Sequence, residues 1–187
     1  MNKILLGSQV VVSDPCYTIP TWCQAIVDNV LPGHYRVHVV KSDEGDWGNR
    51  CSHLIAIHED HCNQDSKFKW ERYPAQIGVD SGQAGIFSRH SYRKDDHPFE
   101  TQGYDFGANW DSKEGDKWYR QMCGRTLGTS QWGHYDEGVV SSSGIGDGSY
   151  DLLVATKKNK VIGFVINFFL DNRSIKHVVN EEFLTRV

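Results

Sequence analysis

The sequence predicts a mostly β fold, either a β-sandwich or open barrel-like antiparallel sheets, with a few short helices. Residues 34–40 alternate tyrosine and valine with polar side chains, which is typical of a strand with one buried face. Residues Tyr150–Lys157 and Val161–Asp171 are two β-rich runs joined by Lys158-Asn159-Lys160, and a short turn between such runs predicts an antiparallel hairpin. An α+β fold is the alternative.

The composition indicates a globular chain, expected to form a single domain over residues 1–187. Of its 187 residues, 39% are hydrophobic and 12% aromatic, which is enough to bury a core. The net charge of −4 gives no general attraction to nucleic acids or anionic membranes. The longest apolar stretch, Val161–Leu170, is too short to span a membrane, and five cysteines fit reduced thiols. We therefore expect a cytoplasmic protein with no cofactor and no resident metal.

The first half of the chain is expected to contain strands separated by turns rich in proline, glycine and aspartate. Pro15 disfavours helical angles at Asp14, so the first strand should end there in a turn or an extended corner. The expected order is a strand at 9–12, the corner Ser13-Asp14-Pro15-Cys16-Tyr17, an irregular segment at 21–30, a turn at 31–33, a strand at 34–40, a loop at 41–48 and a return strand at 49–59.

The middle of the chain holds one more pair of strands and a long polar excursion. A strand at 75–79 leads through Asp80-Ser81-Gly82 to a second strand at 84–87. Residues at about 88–115 then show no apolar periodicity, and a loop of that length is functional, partly ordered or a misread element. Residues 116–127 are expected to form a short helix or strand whose inward side chains are Trp118, Tyr119 and Met122.

The last third begins with a strand at 138–141 and a glycine loop, Ser142–Ser149, before the hairpin. Three glycines within five residues require backbone angles that other residues avoid, or a close approach to another segment. Residues 174–187 are expected to form a last short strand or an amphipathic helix, with Val178, Phe183 and Leu184 packing back onto the core.

Three strand ends share one form, in which an aspartate follows the strand beside serine, glycine or proline: Asp14, Asp80 and Asp147. If these ends converge, their carboxylates and hydroxyls would suit a cation or a polar ligand. Otherwise each aspartate only caps its own turn by accepting backbone N–H bonds. The candidate ligand-binding residues are Asp14, Cys16, Tyr17, Asp80, Ser81, Gln83, Ser143, Asp147 and Tyr150, and no catalytic residue is assigned.

The segment Ser143-Gly144-Ile145-Gly146-Asp147-Gly148-Ser149-Tyr150 resembles the C-terminal Ser-Gly-x-Gly-Asp-Gly-x-Tyr signature of an uncharacterised bacterial and bacteriophage family, a domain of unknown function. The segments 13–17 and 79–87 are also similar to segments of its phage members. The resemblance implies a β-rich fold and a phage or prophage origin, and therefore the host cytoplasm as the location. It implies no activity.

Three catalytic or metal-binding alternatives follow from local motifs. Val79-Asp80-Ser81-Gly82 is similar to the active-site turn of aspartic proteases, with Val161-Ile162-Gly163 as the segment packed behind it and Ile145 as a flap; a single such turn requires a homodimer. Cys16 follows a proline on a tight corner, where a neighbouring histidine could activate its thiol. The remaining possibility is a zinc site from residues of ligating type that lie within one short stretch: Cys51, His53, His58, His61 and Cys62.

Most tryptophans lie in or beside polar, glycine-rich segments: Trp47, Trp70, Trp110, Trp118 and Trp132. Aromatic side chains on loops serve planar ligands and protein partners, and they also anchor long loops to a small core. Both interpretations remain open at this point.

The sequence therefore favours a phage-type accessory protein that acts by binding a host protein or a small polar, nucleotide-like ligand, with counter-defence against the host as one setting. One alternative is a hydrolase that uses Asp80 and Asp147, with or without a divalent metal. Another is a structural module that associates with itself, so a homo-oligomer is possible. These classes differ in whether Asp147→Asn abolishes a turnover, a binding event or only stability.

Overall fold

The computed structural model describes residues 2–63, 67–96 and 115–186. Within these ranges the chain forms two antiparallel sheets, which confirms the mostly β prediction. The strands, in chain order, are β1 (Lys3–Leu6), β2 (Val10–Ser13), β3 (Ala25–Val27), β4 (Gly33–Asp43), β5 (Asn49–His58), β6 (Trp70–Val79), β7 (Gln83–Ser88), β8 (Trp132–Tyr135), β9 (Gly138–Ser142), β10 (Gly148–Lys157) and β11 (Lys160–Asn167).

The two sheets pack face to face and enclose the main core. The first sheet has the order β1-β4-β5-β11-β10-β6, and the second has the order β3-β2-β7-β9-β8. Tyr35, Val37 and Val39 of β4 point inward, as the alternation predicts, and meet residues of the second sheet such as Val12 and Ile86. The arrangement is a β-sandwich in which one inner face of each sheet is apolar.

Each outer face is covered by a helical segment. Helix α1 (Asp116–Thr126) places Trp118 and Met122 on one side, four residues apart, and they pack on Val11, Phe87 and Val140 of the second sheet. The C-terminal segment consists of α2 (Ile175–Val178), a π-helical turn (Val179–Phe183) and a 3₁₀ turn (Leu184–Arg186). Its buried side chains cover the outer face of the first sheet, and they include the three predicted to pack back: Val178, Val179, Phe183 and Leu184.

The hairpin prediction is confirmed. β10 and β11 pair from Asp151 opposite Asn167 to Lys157 opposite Lys160. Lys158 and Asn159 form the two-residue turn with φ values of 50° and 60°. Positive φ at both positions is the type I′ geometry whose twist matches that of the flanking strands.

Three short strands were not predicted: β1, β3 and β8. Each has only three or four residues and lies at the edge of a sheet, so its sequence carries little periodicity. The prediction of an irregular segment at 21–30 was wrong for this reason at Ala25–Val27. The loop predicted at 41–48 is shorter, because β4 runs to Asp43 and a 3₁₀ turn occupies Gly45–Trp47.

The long excursion predicted at about 88–115 lies partly outside the described residues, at 97–114. Its described part continues from β7 with turns and packs Tyr92 against Phe87 and Trp118. No helix in the described ranges is long and apolar enough to cross a membrane.

Candidate functional site

Strand direction brings the three aspartate-bearing turns to the same end of the sandwich. β6 ends where β7 begins, and β9 ends where β10 begins, so both connections cross from one sheet to the other at this end. β2 runs antiparallel to β7 and ends there as well. We call this the motif end, and its loops are 14–24, 44–48, 80–82, 127–131, 143–147 and 168–174.

Asp14 holds two of these loops together from the inside. Its side chain is 0% exposed, and its carboxylate accepts four hydrogen bonds. Oδ1 accepts from the Cys16 amide at 2.8 Å and the Ser81 hydroxyl at 2.7 Å. Oδ2 accepts from the amides of Asp80 and Ser81 at 2.9 and 2.7 Å. A buried carboxylate with this many donors is fully satisfied, so Asp14 is a structural organiser with no acceptor left for a ligand.

Asp80 belongs to the turn 80–82, and it is exposed. Its Oδ2 accepts a hydrogen bond from the Tyr17 hydroxyl at 2.5 Å, which joins the corner 14–17 to the turn 80–82 by a second, outer contact. This bond to Asp80 is the main cause that raises the pKa of the Tyr17 hydroxyl above its usual range. The phenol therefore stays protonated at neutral pH and acts as a donor.

Side-chain hydroxyls hold the glycine loop by bonding its backbone carbonyls. The Ser143 hydroxyl donates to the Gly146 carbonyl at 2.8 Å, and the Tyr150 hydroxyl bonds the Ser143 and Gly146 carbonyls at 3.0 and 2.7 Å. Gly144 has a φ of 62°, and a Cβ there would lie 3.1 Å from the Cβ of Phe168, so a larger residue would be strained twice. These contacts hold the loop in one conformation.

Asp147 connects the glycine loop to the turn that carries Asp80. Its Oδ1 accepts from the Gly82 amide at 3.1 Å, and the Ser143 amide donates to the Gly82 carbonyl at 2.9 Å. Asp147 is exposed, unlike Asp14. The three turns thus form one linked unit in which one carboxylate is buried and two face solvent.

A polar chain joins this unit to α1. The Gln83 amide nitrogen lies 3.3 Å from the Ser81 hydroxyl and 3.4 Å from the Cys123 sulfur. The Thr126 hydroxyl donates to the side-chain oxygen of Gln83, Oε1, at 2.9 Å. No residue pattern indicated Cys123 or Thr126, because their contact with Gln83 depends on how the helix docks.

Arg93 is a further residue of the site that no sequence pattern indicated. Its guanidinium donates to the carbonyls of Pro15 and Cys16 at 2.8 and 3.2 Å and so closes the corner from the outside. It lies in the polar excursion after β7, where no motif indicated a role.

Cys16 is a poor nucleophile in this setting. Burial raises the pKa of its thiol well above the usual range, and the Asp14 carboxylate raises it further. The thiolate that nucleophilic catalysis needs is therefore disfavoured at neutral pH, which argues against the hypothesis of an activated Cys16.

The proposed protease arrangement is also wrong in its geometry. Val79 pairs with Gly148, whereas Gly163 pairs with Ala155, seven residues further along β10. That separation is about 23 Å at 3.3 Å per residue. The segment Val161–Gly163 therefore lies near the other end of the sheet and cannot pack behind the Asp80 turn.

The zinc hypothesis fails on the direction of the side chains. In the pairing of β4 with β5, Val40 is opposite His53 and Lys41 is opposite Cys51, so Ser52 is an extra residue. Cys51 consequently joins the inner core, whereas burial lowers the pKa of His53, on which Asp171 and Arg173 of the loop 168–174 also act. Across the described ranges, no three His, Cys, Asp or Glu side chains are grouped so that they could hold a metal ion.

The tryptophans divide between the two interpretations. Trp118 is 0% exposed and anchors α1, and Trp70 and Trp132 pack against core residues. Trp47 and Trp22 are 61% and 91% exposed, and both lie on motif-end loops. Trp110 lies outside the described residues.

Searches for similarity return no match to a protein-family model, to a curated protein or to a solved structure. The resemblance to the phage family stays an expectation from the sequence.

Proposed function

We propose that this chain acts by binding, with the motif end as its contact surface, and that it is a phage-type accessory protein. The observation that carries the proposal is the division of roles among the three aspartates. Asp14 is buried and spends its carboxylate on four internal hydrogen bonds, while Asp80 and Asp147 are held in place and face solvent. Rigid, prearranged polar groups on a surface favour recognition, because little ordering is lost on binding.

The protonation states support binding rather than covalent catalysis. The raised pKa values of Cys16 and Tyr17 leave a thiol and a phenol, neither of which is a nucleophile or a base at neutral pH. The Tyr17 hydroxyl donates its one proton to Asp80, so it offers a ligand its oxygen as an acceptor.

The exposed carboxylates narrow the chemistry of the ligand. Asp80 and Asp147 would repel the phosphates of a nucleotide and attract an amine or a guanidinium. A host protein or a small polar molecule that presents such a group fits the surface better than the nucleotide-like ligand considered from the sequence. Interference with a host defence system remains the proposed setting and rests on the phage resemblance.

Native mass spectrometry of the protein purified from its own host tests this proposal. We expect a co-purifying molecule in the wild type and its loss in the double variant Asp80→Asn/Asp147→Asn. The matched control is Asp28→Asn/Asp136→Asn, which changes two exposed aspartates at the other end of the sandwich. Equal retention of the molecule by both double variants would place its site elsewhere and contradict the proposal.

The second candidate is a hydrolase that uses Asp80 and Asp147. It is favoured by the hydrogen bond from the Gly82 amide to Asp147, which places the second carboxylate beside the turn that carries the first. A panel of peptide, glycoside and phosphoester substrates separates the two candidates. Binding predicts no turnover, whereas hydrolysis predicts a turnover that Asp147→Asn abolishes while the melting temperature stays nearly unchanged.

A further inference from the structure

The large apolar side chains that remain exposed are concentrated at the motif end. In the described ranges six such residues are exposed, and all but Leu5 lie on motif-end loops: Trp22 (91%), Trp47 (61%), Leu127 (62%), Ile145 (56%) and Phe169 (52%). Leu5 belongs to β1, whose pairing with Gly33–Arg36 puts it at the other end. Single exposed apolar residues are ordinary, but five at one end indicate an interaction site.

Two of these residues belong to the surroundings of the glycine loop: Ile145 lies within it, and Phe169 lies beside Tyr150. The ring of Tyr150 lies 5.9 Å from that of Phe169, and the site of a Gly144 Cβ is 3.3 Å from Leu170. Ile145 is therefore exposed on a loop whose conformation is fixed, and Phe169 lies beside the tyrosine that holds this loop. Held in this way, the two side chains can contact a partner without first being ordered.

The same loops carry an almost purely acidic charge. Their only basic residue is Arg173, which pairs with Asp171 at 2.5 Å and with Glu182 at 3.1 Å. Four acidic residues of these loops lie outside that ion pair and are not buried: Glu44, Asp46, Asp80 and Asp147. Lys41 and Arg93 reach this end from outside its loops, at the carbonyls of Thr129 and of Pro15 and Cys16. A partner that covers Asp80 and Asp147 matches them best with positive charge.

We propose that the motif end docks a protein segment that combines lysine or arginine with large apolar side chains. The basic side chains contact Asp80 and Asp147, and the apolar side chains pack against Trp22, Ile145 and Phe169. The inference rests on the proposed binding function and specifies its partner. Tryptophan is among the residues that contribute most to protein interfaces, and charged residues set the orientation of the partner.

The test uses a displayed library of random dodecapeptides selected against the full chain. We expect the enriched peptides to carry net positive charge and at least two large apolar residues. Their affinity should fall at least about tenfold for Asp80→Lys/Asp147→Lys, because like charges then face each other. The matched variant Asp28→Lys/Asp136→Lys should bind the peptides as the wild type does.

The other outcomes are distinct. Peptides that bind the motif end but are neutral or acidic overturn the basic partner and leave the binding function standing. Peptides that bind both lysine variants equally lie elsewhere and overturn both proposals. An empty selection overturns the protein partner, and so does light scattering that shows the chain assembling with copies of itself through this end.

Discussion

The strands of the sandwich are connected differently at its two ends. At the opposite end, residues 7–9 and 28–32 also cross between the sheets, through backbone contacts such as the bond from the Val30 amide to the Ser8 carbonyl, and the β10–β11 turn is flanked by the exposed Lys157 and Lys160. At the motif end, the crossing 80–82 is bonded both to the buried Asp14 and to Asp147 of the crossing 143–147. A crossing between the sheets does not require a buried carboxylate. Asp14 therefore gives the motif end a fixed arrangement that goes beyond chain reversal.

The largest expected difference between the two ends is in stability when one aspartate is removed. Asp14→Ala leaves four donors without their acceptor inside the protein and should cost about 3–5 kcal/mol of the free energy of unfolding. Asp28→Ala removes one exposed acceptor, for Gln9, and should cost less than about 0.5 kcal/mol. Urea unfolding measures both. Similar losses would contradict the organising role of Asp14.

Acid should lower the free energy of unfolding through His53. This residue is 0% exposed and pairs with Asn167, directly before the loop 168–174. Burial lowers the pKa of His53 to about 4, with Arg173 lowering it and Asp171 opposing. The unfolded chain binds this proton more readily, so stability is full above pH 6.5 and falls towards pH 4 by roughly 3 kcal/mol. Urea unfolding at several pH values should show this slope in the wild type and a shallower one in His53→Phe. Parallel slopes would remove His53 as the cause.

Two tyrosines offer a matched pair of intermediate effect. Tyr150 bonds two carbonyls of the glycine loop at the motif end, and Tyr35 bonds the carbonyls of Leu31 and Val161 at the opposite end, at 2.8 and 3.1 Å. Each Tyr→Phe change should cost about 1–2 kcal/mol of stability. Only Tyr150→Phe should also raise hydrogen exchange in the loop 143–147 and weaken peptide binding. Equal effects on binding would mean that the shape of this loop is irrelevant.

The smallest expected effect on stability is that of Asp147→Asn. The amide keeps an oxygen that can accept from Gly82, so unfolding should change by less than about 1 kcal/mol. Binding should nevertheless weaken, because the negative charge is lost. A variant that loses stability but binds normally would show that Asp147 is only a cap.

The sequence predicted the long strands and the hairpin because their side-chain alternation and turn residues are local. It could not rank Asp14, Asp80 and Asp147, since each stands among turn residues at a strand end, and their burial depends on tertiary contacts. The same limit explains Cys51 and His53, whose directions depend on the bulge at Ser52. The partners of Gln83 on α1, Cys123 and Thr126, depend on how the helix docks, and no residue pattern near Gln83 encodes that docking.

The affinity of a selected dodecapeptide for Trp22→Ala tests the central claim most directly. Trp22 is 91% exposed, so its removal leaves the core intact, and the melting temperature should not change. The control is Leu5→Ala, an exposed apolar residue at the opposite end. If the motif end is the binding surface, Trp22→Ala weakens binding by about fivefold or more, and Leu5→Ala has no effect. Unchanged affinity in Trp22→Ala, or an equal loss in Leu5→Ala, would contradict the account.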